Sequence, residues 1–143
     1  MLPKKSGYKT SKLQGKKTKY LLDASALYPL LVRGIPFTSE ECAVSSLTEF
    51  EVGNILWKQN KKKELDDPNR IAEIFEESMA ELSKIWVDCL VKVLAIAVER
   101  NLTFYEASYA YLAEKENMKL VTEDVDLIKK CKCAIHIKDM ITT

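Results

Sequence analysis

The segment Tyr20-Leu21-Leu22-Asp23 most constrains this chain: a short apolar run that ends in a carboxylate. The run is too short for a buried helix and reads as a buried strand. A carboxylate there costs several kcal/mol unless it is hydrogen-bonded, paired or bound to a cation, so Asp23 needs a partner. With lysines before it, the apolar run Tyr20–Val32 has the outline of an export signal. Asp23 inside it, with no small-residue cleavage pattern after it, argues against that reading. No apolar stretch reaches the roughly 20 residues that cross a bilayer. The expectation is a cytoplasmic protein without membrane association.

A length of 143 residues, 47% hydrophobic and 30% charged, fits one globular domain. A chain of this size buries roughly 68% of its unfolded surface, enough to fold without disulfide or metal staples. Cys42, Cys89, Cys131 and Cys133 lack a C-x-x-C spacing and read as buried reduced thiols. A zinc site from Cys131, Cys133 and His136 supplies three ligands at most and has no second pair, so it is set aside. The net charge of +1 hides an asymmetry: residues 1–19 hold seven lysines and no acid, leaving 15 basic against 21 acidic residues. Residues 1–19 are expected to be a basic flexible tail that either binds nucleic-acid phosphates or acts as a solubilising end, with the folded domain over 20–143.

After the Tyr20–Asp23 strand, a helix is expected from Ser25 to about Arg33, stopped by Gly34 and Pro36. Ala43-Val44-Ser45 reads as a second strand. Ser46 with Glu49 three residues on reads as a capping box opening a helix to about Lys61. Pro68 starts a helix to about Lys84, and Val87–Glu99 forms another with Val91, Leu94, Ala95 and Val98 on its apolar face. Thr103 and Glu106 make a second capping box, opening a helix to about Glu116. Lys119–Thr122 is a strand, Asp124 caps a short helix to about Lys130, and Ala134–Ile137 alternates as a last strand. Strands separated by helices imply crossover connections and a parallel sheet.

In such a sheet, ligands gather beyond the carboxyl ends of the strands, near the switch in strand order. Asp23 and Asp124 each follow a strand, and Glu51 lies one turn into the helix after the second. Three converging carboxylates repel one another unless cations lie between them, and an all-oxygen set favours Mg²⁺ or Mn²⁺. Two of the candidates have a purely structural alternative. Asp124 also reads as an N-cap, and Glu106 as the third residue of a capping box that serves the Thr103 amide. Glu49 fits the capping role, which leaves Glu51 for the pocket, with Asn54 and Lys58 following on its face.

Four segments carry a family resemblance: Tyr20-Leu-Leu-Asp-Ala-Ser-Ala-Leu27, Ser46-Leu-Thr-Glu-Phe-Glu-Val-Gly-Asn-Ile-Leu-Trp57, Leu102-Thr-Phe-Tyr-Glu-Ala-Ser-Tyr-Ala-Tyr-Leu-Ala113 and Leu120-Val-Thr-Glu-Asp-Val-Asp-Leu127. In order and spacing over residues 20–137 they resemble the signature blocks of PIN-domain ribonucleases of the VapC toxin type. The resemblance implies a three-layer α/β/α sandwich with a central parallel sheet, often a homodimer. It implies an acidic pocket that holds Mg²⁺ or Mn²⁺ and hydrolyses RNA, and an antitoxin protein as partner. It places Asp23, Glu51, Glu106 and Asp124 as catalytic metal ligands, supported by Ser25, Asn54, Thr122 and Asp126. The family usually has Asp where this chain has Glu106. The extra methylene carries the carboxylate about one C–C bond further out, against a Mg²⁺ coordination length of roughly 2.1 Å. A module that binds RNA or a protein without cutting is the alternative that this departure leaves open.

Other chemistries lack their parts. His136 is the only histidine, so a metal-free ribonuclease with two histidines as acid and base is excluded. Gly7, Gly15, Gly34 and Gly53 form no phosphate-binding loop.

Overall fold

The computed structural model describes residues 18–141. The lysine-rich segment up to residue 17 lies outside the described residues, so the expected tail is not addressed by the fold. Lys19, at its end, is held at the sheet margin: its amide donates to the Glu41 carbonyl and its carbonyl accepts from the Lys119 amide, both at 2.8 Å.

Five strands form one parallel sheet: β1 (Tyr20–Leu22), β2 (Cys42–Ser45), β3 (Ser83–Ile85), β4 (Lys119–Thr122) and β5 (Ala134–His136), in the order β3-β2-β1-β4-β5. Seven helices connect and follow them: α1 (Ala24–Val32), α2 (Thr48–Lys61), α3 (Pro68–Ala80), α4 (Leu90–Arg100), α5 (Phe104–Lys115), α6 (Val125–Lys130) and α7 (Ile137–Ile141). The chain builds β1, β2 and β3 in one direction, then returns through α4 and α5 to place β4 on the other side of β1. The switch in strand order therefore falls between β1 and β4, and Asp23 and Asp124 follow these two strands.

Alternation along the strands divides the core into two layers. Leu21, Ala43 and Leu120 face α4, α5 and α6. Their neighbours Leu22, Val44 and Val121 face α1, α2, α3 and α7. Both sheet faces are covered, which is why these strands read as continuous apolar runs. Helix α5 is buried from Ala107 through Ala113, and the small side chains Ala107, Ala110 and Ala113 fit that depth. The expected three-layer α/β/α sandwich with a central parallel sheet is the fold observed.

Several local expectations are corrected. The helix from Pro68 stops at Ala80 instead of Lys84, and Ser83–Ile85 forms an edge strand paired with Ala43–Ser45. No glycine or proline marks that stop, and the strand exists because β2 offers it a ladder. The Ser46–Glu49 capping box does not form. Helix α2 starts after Leu47 with no side-chain cap, and Glu49 instead pairs with Lys84 of β3. Helix α4 begins at Leu90 and buries Val93 (0% exposed), whereas Val91 (78%), Leu94 (56%) and Val98 (75%) face outward. Phe50 and Trp57 of α2 are exposed as well. Ile137 starts α7 instead of ending β5.

Candidate functional site

Asp23 is nearly fully buried where β1 turns into α1. It caps that helix: Oδ1 accepts from the Ala26 amide at 3.0 Å and from the Ser25 hydroxyl at 2.7 Å. Ser25 Oγ lies 3.2 Å from Thr122 Oγ1 and accepts from the Glu123 amide at 2.9 Å, tying the end of β1 to the end of β4. Thr122 Oγ1 accepts from the Asp124 amide at 3.0 Å. Ser25 and Thr122 thus fix the two aspartates relative to each other. Burial raises the proton affinity of Asp23, and the Thr122 and Ser25 hydroxyls and the Ala26 and Ser25 amides oppose it.

Glu51, one turn into α2, is half-buried. Its Oε1 accepts from the Tyr109 hydroxyl at 2.6 Å, and that hydroxyl is also 2.8 Å from Thr48 Oγ1. Burial raises the proton affinity of Glu51, the Tyr109 bond lowers it, and the Asp23 charge raises it again. The Asp23–Glu51 repulsion is what a cation between them would relieve. Tyr109 is itself held protonated by burial and by the neighbouring Glu51 charge.

Both structural alternatives are realised in the fold. Asp124 caps α6, with Oδ1 accepting from Asp126 at 2.9 Å and Leu127 at 3.2 Å. Glu106 completes its capping box: Oε1 accepts from the Thr103 amide at 2.9 Å while the Glu106 amide donates to Thr103 Oγ1 at 3.1 Å. In each case the bonds use one carboxylate oxygen. Asp124 and Glu106 nevertheless border the same cleft as Asp23 and Glu51, a cavity of about 380 Å³ also lined by Ser25, Asn54, Tyr105 and Tyr109. Asp126 is not among its lining residues. It is 57% exposed and pairs with Lys130 at 3.0 Å.

No three of these carboxylates bring oxygens within 4.8 Å of one another, since among the described residues only Glu114, Cys131 and Cys133 form such a group. A hydrated hard cation does not require such a cluster, because Mg²⁺ keeps several waters and takes one or two carboxylates directly. Sequence reasoning did not single out Tyr109. Its signal lay in plain sight, three residues after Glu106 on the same helix.

A parallel sheet with an acidic cleft beyond the carboxyl ends of β1 and β4 defines a class, and the PIN-domain pattern matches residues 20–132. The chain belongs to the PIN-domain family, within it to the VapC toxin type. It is 38% identical over 124 residues to exonuclease VapC9 of Pyrobaculum aerophilum, covering 85% of this chain and 92% of that protein. It is 32% identical over 123 residues to ribonuclease VapC3 of the same organism, covering 78% and 94%. A crystal structure of a P. aerophilum protein superposes with a TM-score of 0.82 at 37% identity, over 87% of this chain and 95% of that one. A toxin–antitoxin complex from Klebsiella pneumoniae shares the fold, with a TM-score of 0.61 at 13% identity over 83% and 98%.

Proposed function

We propose that the protein is a divalent-metal-dependent endoribonuclease, the toxin of a toxin–antitoxin pair, that hydrolyses RNA in the cytoplasm. The observation that carries this reading is the cleft at the strand-order switch, bordered by Asp23, Glu51, Glu106 and Asp124. When bound, Mg²⁺ or Mn²⁺ supplies a more acidic water and countercharge for the phosphodiester. The chain's own residues hold the geometry. Ser25 and the Ala26 amide fix Asp23, Tyr109 fixes Glu51, and the α6 amides fix Asp124. Asn54 lines the same cleft, and its two amide donors would orient a phosphate oxygen.

Two further surfaces support partners. A groove of about 440 Å³ between α2 and α3, with Val52, Leu56, Phe75 and Met79 among its apolar lining and Glu49, Glu76 and Lys84 as charged members, suits an amphipathic helix of an antitoxin. The exposed face Leu90, Val91, Leu94 and Val98 of α4 suits a second copy of the chain. One observation favours the alternative of a binding module that does not cut: Glu106 already spends one oxygen on its cap.

Cleavage of linear and circular single-stranded RNA by the full chain tests the reading. Activity on both that vanishes in EDTA and returns with Mn²⁺ is expected. Cleavage of the linear substrate alone would make the enzyme an exonuclease, and no cleavage of either would favour the binding module.

A further inference from the structure

At the opposite edge of the sheet, where β4 and β5 begin, a second group of ligand-bearing side chains meets. Cys131 follows α6, Cys133 precedes β5, and Glu114 stands near the end of α5. The Cys133 carbonyl accepts from the Leu120 amide at 3.0 Å, which places the pair at the start of the strands, away from the carboxylate cleft. Cys131 Sγ is 3.1 Å from Cys133 Sγ and 3.5 Å from Glu114 Oε2, and one ligand atom from each of the three lies within 4.8 Å of the others.

We propose that Cys131, Cys133 and Glu114 form a binding site for a thiophilic divalent cation of the zinc class, with water as the fourth ligand. Tetrahedral zinc with Zn–S near 2.3 Å and Zn–O near 2.1 Å sets an S···S edge of about 3.8 Å and an S···O edge of about 3.6 Å. The Cys131–Glu114 distance of 3.5 Å already matches the latter. One thiol hydrogen lies between the two sulfurs at 3.1 Å; the incoming cation would displace both thiol protons to solvent, and the two thiolates then open to the longer edge around it.

Charge favours the same occupant. Arg100 binds the Glu114 carboxylate through two hydrogen bonds, at 2.7 and 3.1 Å, and so orients it toward Cys131. Two thiolates and one carboxylate balance a divalent ion plus the guanidinium, leaving the assembled site neutral. Soft sulfur ligands select zinc-like ions over Mg²⁺, so this site and the carboxylate cleft take different metals. Cys131 is 1% exposed and forms the floor, while the half-buried Cys133 and the exposed Glu114 leave a way in. His136, the third ligand that the sequence suggested, is engaged elsewhere: Nδ1 accepts from the Lys138 amide at 3.2 Å.

The test is a Co²⁺ titration of the reduced full-length protein in excess Mg²⁺, with four free thiols verified by alkylation. A thiolate-to-cobalt charge-transfer band that saturates at one equivalent and is displaced by zinc is expected. Asp23→Asn should leave it unchanged, Glu114→Gln should weaken Co²⁺ binding at least tenfold, and Cys133→Ser should abolish the band while still melting cooperatively. Absence of the band in the fully reduced protein overturns the proposal. So does a band that survives Cys133→Ser, or an affinity unchanged in Glu114→Gln.

Discussion

The Tyr109 hydroxyl donates to Glu51 Oε1 at 2.6 Å, so a residue in the buried middle of α5 sets the position of a carboxylate on α2. Both line the acidic cleft. The donor favours the ionised form of Glu51, against burial and the Asp23 charge. Tyr109→Phe keeps the ring packing and removes the donor. Groups that orient metal ligands in this way typically account for 10–100-fold in affinity or activity. A fall of that size in Mn²⁺ affinity is expected, larger at pH 6 than at pH 8 because Glu51 then holds its proton more tightly. Calorimetric titration at the two pH values checks this, and an affinity loss equal at both would show that Glu51 protonation is not involved.

Asp23→Asn should leave the metal-free protein as stable as wild type or more so, because it removes a buried charge that Glu51 repels. Mn²⁺ at about ten times its dissociation constant should add roughly 1.4 kcal/mol to wild type. The variant should gain much less and should not cleave RNA. Thermal melts with and without Mn²⁺ decide the matter, and equal metal-induced shifts would remove Asp23 from the ligand set.

The pH dependence of stability in chelator follows from the raised proton affinities of Asp23 and Glu51. In the unfolded chain these groups titrate near about 3.9 and 4.3. The folded state binds protons more tightly, so the stability they contribute is fully present below those values and is lost as pH rises through the folded ones. Wild type should therefore lose stability relative to Asp23→Asn as pH rises from about 4 toward neutrality. Urea unfolding of both proteins across that range measures the difference, and a flat difference curve would contradict the burial of Asp23.

Glu106 serves the Thr103 cap and borders the cleft, and two substitutions separate these roles. Glu106→Gln retains a capping box, since Gln fills that position as Glu does, so stability should change by less than about 0.5 kcal/mol. Cleavage should fall at least tenfold if the charge contacts metal. Glu106→Asp should raise cleavage or tighten metal binding, at a capping cost under roughly 1 kcal/mol. Unchanged cleavage in Glu106→Gln would assign the residue to the cap alone.

The orientation of α4 is testable by a pair of truncations. Val93 is fully buried, and Val93→Ala should cost about 2 kcal/mol from two lost methyl groups and the space they leave. Val91→Ala, at an exposed position on the same helix, should stay within about 0.5 kcal/mol in the same denaturation experiment.

Much of the site was legible because its signals are local. The apolar run before Asp23, the Thr103–Glu106 box and the Asp124 cap each lie within a few residues of the backbone they organise. Periodicity and capping act over one turn of chain, so strands β1 and β4 and helices α5 and α6 followed from the sequence, and the parallel sheet followed from their alternation.

What the sequence left undecided depends on partners far along the chain. Ser83–Ile85 carries no strand signal of its own and became one because β2 presented an open edge. Glu49 left its expected capping box for Lys84, 35 residues away. Val91, Leu94, Ala95 and Val98 satisfied helical periodicity, yet packing against α5 selected Val93 and Ala97. Only the fold could bring Tyr109 to Glu51, or Glu114 to Cys131 and Cys133, because local pattern encodes which face a residue can offer and tertiary contact decides which face is used.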